Sequence, residues 1–186
     1  MSRHDLTVKP KTTVNTKVYL IGSLRNEMVP RVAQKLREQA GVTVFDDWYA
    51  AGPEADDYWQ KYETARGHSY SEALKGNAAN HVYSYDKSHL DSSDMAVLML
   101  PAGKSGHLEF GYMIGKGKPG IIFMPDKDPE RWDVMYLFAN NVVHTIEELV
   151  EKINENITAK DRLVIERLAD AYKRPVWSSP YATGNS

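Results

Sequence analysis

Six consecutive apolar residues, MAVLML at positions 95–100, constrain this chain more than any other stretch. An uninterrupted apolar run closed by Pro101 reads as a strand buried on both faces, and such strands belong to parallel sheets covered by helices. The flanking sequence repeats the theme. Residues 17–21 (KVYLI), 42–45 (VTVF), 120–124 (GIIFM) and 141–143 (NVV) are further short β-rich runs. Between them, Met28, Val29, Val32, Ala33 and Leu36 recur at helical spacing up to Gly41, and residues 105–116 read as a helix closed by the turn at Gly117. Thr145 and Glu148 form a capping-box start for a helix to about residue 154. Leu163, Val164, Leu168 and Ala171 mark one further helix before Pro175.

A long helix is also expected from Ser69, with Tyr70, Leu74, Ala78, Val82, Tyr85 and His89 on one buried face. Asp86 is one helical step from both Val82 and Leu90, which places its carboxyl at the edge of that face. Strand–helix alternation of this kind implies one α/β domain, flavodoxin-like or Rossmann-like. The expected sheet is parallel and five-stranded, in the order 2-1-3-4-5, with helices on both faces. A length of 186 residues suits one core. The expected organisation is a flexible extension over 1–16, the domain over 17–157, and a C-terminal helix and tail over 158–186.

Composition excludes several functions. With 23 basic and 25 acidic side chains, the net charge of −2 offers no footprint for a nucleic-acid polymer or an anionic membrane. No cysteine occurs, which removes disulfides, thiolate catalysis and sulfur-ligated zinc, and suits a cytoplasmic location. Residues 1–16 hold no apolar core for a secretory signal, and no run approaches the roughly 18 apolar residues of a membrane span. His81, His89 and His107 lack metal-ligand spacing, so neither a metal nor a cofactor is assigned.

In an open sheet of this order, ligands bind beyond the carboxyl ends of strands one and three. There the chain places Gly22, Ser23, Leu24 and Arg25 (GSLR) and the loop Pro101 to Glu109, with Gly103, Lys104, Ser105 and Gly106. The first loop is either a phosphate cradle or an ordinary strand-to-helix turn. Glu109, near the head of its helix, is either a dipole-favoured ionised carboxylate facing a pocket or a cap. Partial burial of Asp86 would raise its carboxyl towards the range of a proton donor. Two carboxyls in different surroundings are what glycosidic cleavage requires. Asp47 and Trp48 open a polar stretch that runs through Trp59 to Tyr62, either an aromatic lid over a base or a packed flap.

Taken together, the strand ending in Tyr19 and GSLR, the segment YDKSHLDSSD, GKSGHLEFGY and GKGKPGIIFM resemble the nucleoside 2-deoxyribosyltransferase family and the related deoxynucleoside 5′-monophosphate N-glycosidases. The resemblance covers roughly residues 17–143. It implies an enzyme in which Glu109 attacks the anomeric carbon and Asp86 assists proton movement. It further implies Tyr19 beside the nucleophile, Ser23 and Arg25 at a 5′-phosphate, and Asp133 where transferases carry an asparagine that reaches a neighbouring subunit. The expected partner is therefore a small nucleoside or nucleotide, and the expected assembly a homo-oligomer, dimer or larger. The chain departs from the pattern at Gly103, where transferases often carry Asp and nucleotide hydrolases Ser, and in a longer insert after strand two. Transfer to another base, hydrolysis by water, and a non-catalytic nucleotide-sensing module on the same scaffold all remain open, as does a structural subunit with a vestigial pocket.

Overall fold

A computed structural model describes residues 15–129 and 132–173, and the expected N-terminal extension lies almost wholly outside them, as does the tail beyond 173. Five parallel strands form one sheet in the order β2-β1-β3-β4-β5: β1 (Lys17–Ile21), β2 (Thr43–Phe45), β3 (Met95–Met99), β4 (Gly120–Phe123) and β5 (Asn141–Val143). β1 lies between β2 and β3, pairing Tyr19 with both Phe45 and Ala96. The expected fold and strand order are those observed.

Side-chain alternation along the strands creates two different faces. Val18 and Leu20 of β1, with Val97 and Met99 of β3, pack under α1 (Val29–Lys35) and α6 (Ile146–Lys173). Tyr19 and Ile21, with Ala96 and Leu98, face α4 (Asn77–Ser92) and α5 (Lys104–Gly115). A π-helical turn, Leu36–Ala40, extends α1 and ends at Gly41, whose φ of 65° is the left-handed conformation glycine tolerates. α5 presses so closely on the sheet that a Cβ on Gly120 would lie 2.7 Å from Phe110 Cε2.

Two expectations about helices are corrected. The long helix from Ser69 is two helices, a capped turn α3 (Tyr70–Ala73) and α4, separated at extended Gly76. Its supposed buried stripe is largely exposed: Tyr70, Leu74, Val82 and Tyr85 face outward, and Leu90 is the residue α4 buries. Periodicity identifies residues that share a face but not what covers it, and α4 meets the sheet mainly through its last turns. Conversely, the two C-terminal helices are one. The Thr145–Glu148 capping box forms as expected, with Glu148 N–H donating to Thr145 Oγ1 at 3.1 Å, but the helix it starts continues unbroken through residue 158 to Lys173. No proline or glycine interrupts it, and Leu163 and Val164 lie exposed along it.

Between β2 and α3 the insert forms a 3-10 turn, Asp47–Ala51, and α2 (Ala55–Ala65). α2 buries little besides Glu63, whose carboxylate meets His68 Nδ1 at 2.6 Å.

Candidate active site

The loops after β1 and β3 are adjacent, as the topology requires. A Cβ on Gly106 would stand 3.0 Å from Ile21 Cγ2, so the absence of a side chain lets α5 start against the end of β1. Gly103 precedes α5 with open space around it, and Lys104 and Ser105 are exposed in the first turn. The side chain missing at Gly103 thus leaves room rather than a packing defect.

Glu109 lies in the second turn of α5, six residues after the Gly103 N-cap. An ionised, dipole-stabilised carboxylate is therefore not what this position produces. Burial, reinforced by the negative charge of Asp86, pushes the Glu109 carboxyl up to about 7. Asp86, half-buried on α4, is itself raised by desolvation. The buried Tyr19 hydroxyl is raised further, first by burial and then by the charges of Glu109, Asp86 and Tyr85. Asp86 of α4 and Glu109 of α5 are thus close enough to Tyr19 of β1 to raise its hydroxyl, and Asp86 is close enough to Glu109 to raise its carboxyl. Among the described residues, neither carboxyl has a hydrogen-bond partner in the protein, so both are free to engage a ligand.

An aromatic wall adjoins them, and the sequence reading assigned it no site role. Phe45 stacks on His89 with centroids 3.8 Å apart and planes inclined by 13°, and meets Tyr19 at 4.9 Å. Tyr85 leans on His89 at 4.6 Å. Burial and neighbouring Lys17 hold His89 below the usual histidine range, and Asp47 opposes that shift. The signal available in the sequence was the i, i+4 spacing of Tyr85 and His89 around Asp86, together with Phe45 at the end of β2.

The first loop is more elaborate than a strand-to-helix turn. Arg25 N–H donates to Ser23 Oγ at 3.2 Å, Asn26 N–H closes a turn on Ser23 O at 2.9 Å, and α1 begins only at Val29. GSLR therefore does not sit directly on a helix N-terminus. The Arg25 guanidinium projects to α2, where Nη2 donates to Asp57 Oδ2 at 3.1 Å. Leu24 is half-buried in the same loop, and a Cβ on Gly22 would meet Val29 Cγ2 at 3.1 Å.

The stretch that read as either a lid or a packed flap divides into parts with different roles. Trp48 is a buttress: its indole N–H donates to Leu20 O at 2.9 Å, and its ring packs beside Gly22. Asp47 is exposed next to it. Trp59 instead lines a cavity of about 360 Å³ between α2 and α3, with Tyr70, Glu63 and His68. That cavity includes none of Tyr19, Asp86 and Glu109. Asp133 caps the 3-10 turn Val134–Phe138 by accepting from Met135 N–H at 2.9 Å. That turn is held to α5 by His107, whose Nε2 is 3.3 Å from the Tyr136 hydroxyl. Among the described residues, no group of three or more potential metal ligands converges.

The fold defines an open, doubly covered α/β protein with its charged groups at the sheet's switch point. It is shared with the solved 2-deoxyribosyltransferase of Bacillus psychrosaccharolyticus: the two chains superpose with a TM-score of 0.51 at 20% identity, covering 73% of this chain and 90% of that one. The solved CMP N-glycosidase of Clostridium botulinum matches with a TM-score of 0.44 at 14% identity, covering 75% of this chain and 99% of that one. No protein-family model matches the sequence, and comparison with curated proteins gives no match.

Proposed function

We propose that this protein cleaves the N-glycosidic bond of a 2′-deoxynucleoside or its 5′-monophosphate. The observation that carries the reading is the Glu109–Asp86 pair: two carboxyls raised by burial, the charge of Asp86 raising Glu109 further, uncommitted to protein partners among the described residues and beside Tyr19 at the switch point. With Glu109 held near 7, its carboxyl is present both as acid and as carboxylate around neutrality, beside an Asp86 carboxyl that burial also raises. One carboxylate and one acid are the charge state a two-step retaining displacement requires. Glu109 in its ionised form attacks C1′, the C1′–N bond breaks, and Asp86 passes the proton to the departing base. The glycosyl-Glu109 ester is then opened by a second base or by water, with Asp86 reclaiming or relaying the proton. The fold shared with a deoxyribosyltransferase supports the same chemistry.

The active form is a homo-oligomer in this reading. Leu108, Trp132, Val134, Met135, Leu137 and Phe138 are all more than half exposed, and exposed apolar side chains gathered in this way are what a partner surface covers. Docking a second copy there would cover the turn that Asp133 caps, and would bring Asp133 towards a neighbouring site. Sedimentation of the purified chain should show a dimer or larger species.

Incubation with deoxynucleosides and their 5′-monophosphates, with and without an acceptor base, followed by chromatography, tests the activity. Base release alone indicates hydrolysis and exchange indicates transfer. No turnover across a broad panel would leave binding without catalysis and contradict the reading.

A further inference from the structure

The only side-chain hydrogen bond joining α2 to the sheet-bearing body, among the described residues, is the Arg25–Asp57 ion pair. Arg25 is also the one cation of the loop after β1, the loop that faces the switch point. Its guanidinium already serves a carboxylate. A phosphomonoester bound to Arg25 brings up to two negative charges next to Asp57, and the two anions must either share the fork or repel. A neutral 5′-hydroxyl meets no such conflict, because it can donate a hydrogen bond to the same carboxylate.

We propose that Asp57 is a specificity-determining residue that sets the discrimination between a 5′-hydroxyl and a 5′-phosphate at this site. The inference rests on the nucleoside-or-nucleotide reading above and goes beyond it by naming the group that chooses. Asp57 holds Arg25 in a neutralised pair, which favours the unphosphorylated sugar. The acidic start of α2, with Asp56 and Asp57 in its first turn, is what delivers the carboxylate there.

The variant Asp57→Asn separates charge from tethering, since the amide oxygen still accepts from Arg25 while the negative charge is gone. Calorimetric titration of the wild-type protein and of Asp57→Asn with a deoxynucleoside and its 5′-monophosphate gives the ratio of the two affinities in each. The expected result is a shift of about tenfold in that ratio towards the monophosphate. The shift should vanish in the double variant Arg25→Gln, Asp57→Asn. A ratio changed by less than about twofold, or equal loss of both ligands, overturns the role of Asp57 and leaves the wider reading intact. Binding of neither ligand by either protein overturns both together. Because the readout is binding, it holds whether or not the bound ligand is turned over.

Discussion

The two faces of the sheet are built from the same strands and have opposite chemistry. Leu20 looks into a seal made of aliphatic side chains from α1 and α6, whereas Tyr19, its neighbour in β1, looks towards Asp86, Glu109 and the Phe45–His89 stack. One face spends its burial on stability. The other buries carboxyls and a hydroxyl without hydrogen bonds to the described residues, which costs stability and leaves those groups poised for a ligand. Alternation along a strand is enough to separate the two tasks by a single residue.

The reactive face depends first on Glu109. Replacing it with Ala should lower kcat by roughly a thousandfold or more, with the circular dichroism spectrum unchanged, because the proposed nucleophile is gone while the sealed face is untouched. Steady-state kinetics on the best substrate checks it. On the sealed face, Leu20→Ala should cost about 3 kcal/mol in urea denaturation, the usual range for emptying a fully buried aliphatic site.

Glu109 also makes the stability of the reactive face depend on pH. Its folded carboxyl is held at about 7 against an ordinary 4.5, so the folded chain binds that proton more tightly than the unfolded chain does. The stability it contributes is fully present below the unfolded value and is lost as pH rises through the folded one. Relative to wild type, Glu109→Gln should therefore gain up to about 3 kcal/mol at pH 8 and almost nothing near pH 4.5. Denaturation of both proteins across that window measures it. The smallest effect on stability belongs to Tyr19→Phe, expected within about 1 kcal/mol of wild type since the hydroxyl has no protein partner among the described residues. Its consequence should instead be seen in kcat.

Most of the fold was legible because strand and helix periods are local. The apolar run at 95–100 is β3, Gly41 does end the first helix, and Thr145 with Glu148 does form a capping box. The failures have a common physical cause in long-range contact. The stripe Tyr70, Leu74, Val82 and Tyr85 was recognisable as apolar, but nothing local states that Gly76 breaks the helix and that the stripe faces outward. Trp48 read equally as part of a lid or of a packed flap, and what decides between them is long-range: its indole N–H is engaged by Leu20 O, a residue 28 positions away. Within the candidate site, topology indicated the meeting of the loops after β1 and β3, and the resemblance paired Asp86 with Glu109, whereas the ionisation of Glu109 depends on the depth of burial it acquires only in the assembled fold. The Arg25–Asp57 pair was similarly invisible, because its partners lie 32 residues apart in segments without a shared pattern.

The most direct measurement is mass spectrometric peptide mapping of protein quenched by acid during turnover of a deoxynucleoside. A single deoxyribosyl adduct on the peptide containing Glu109, absent from Glu109→Ala, is the predicted result. Turnover accompanied by an adduct on another residue, or unaffected by the loss of Glu109, would contradict it.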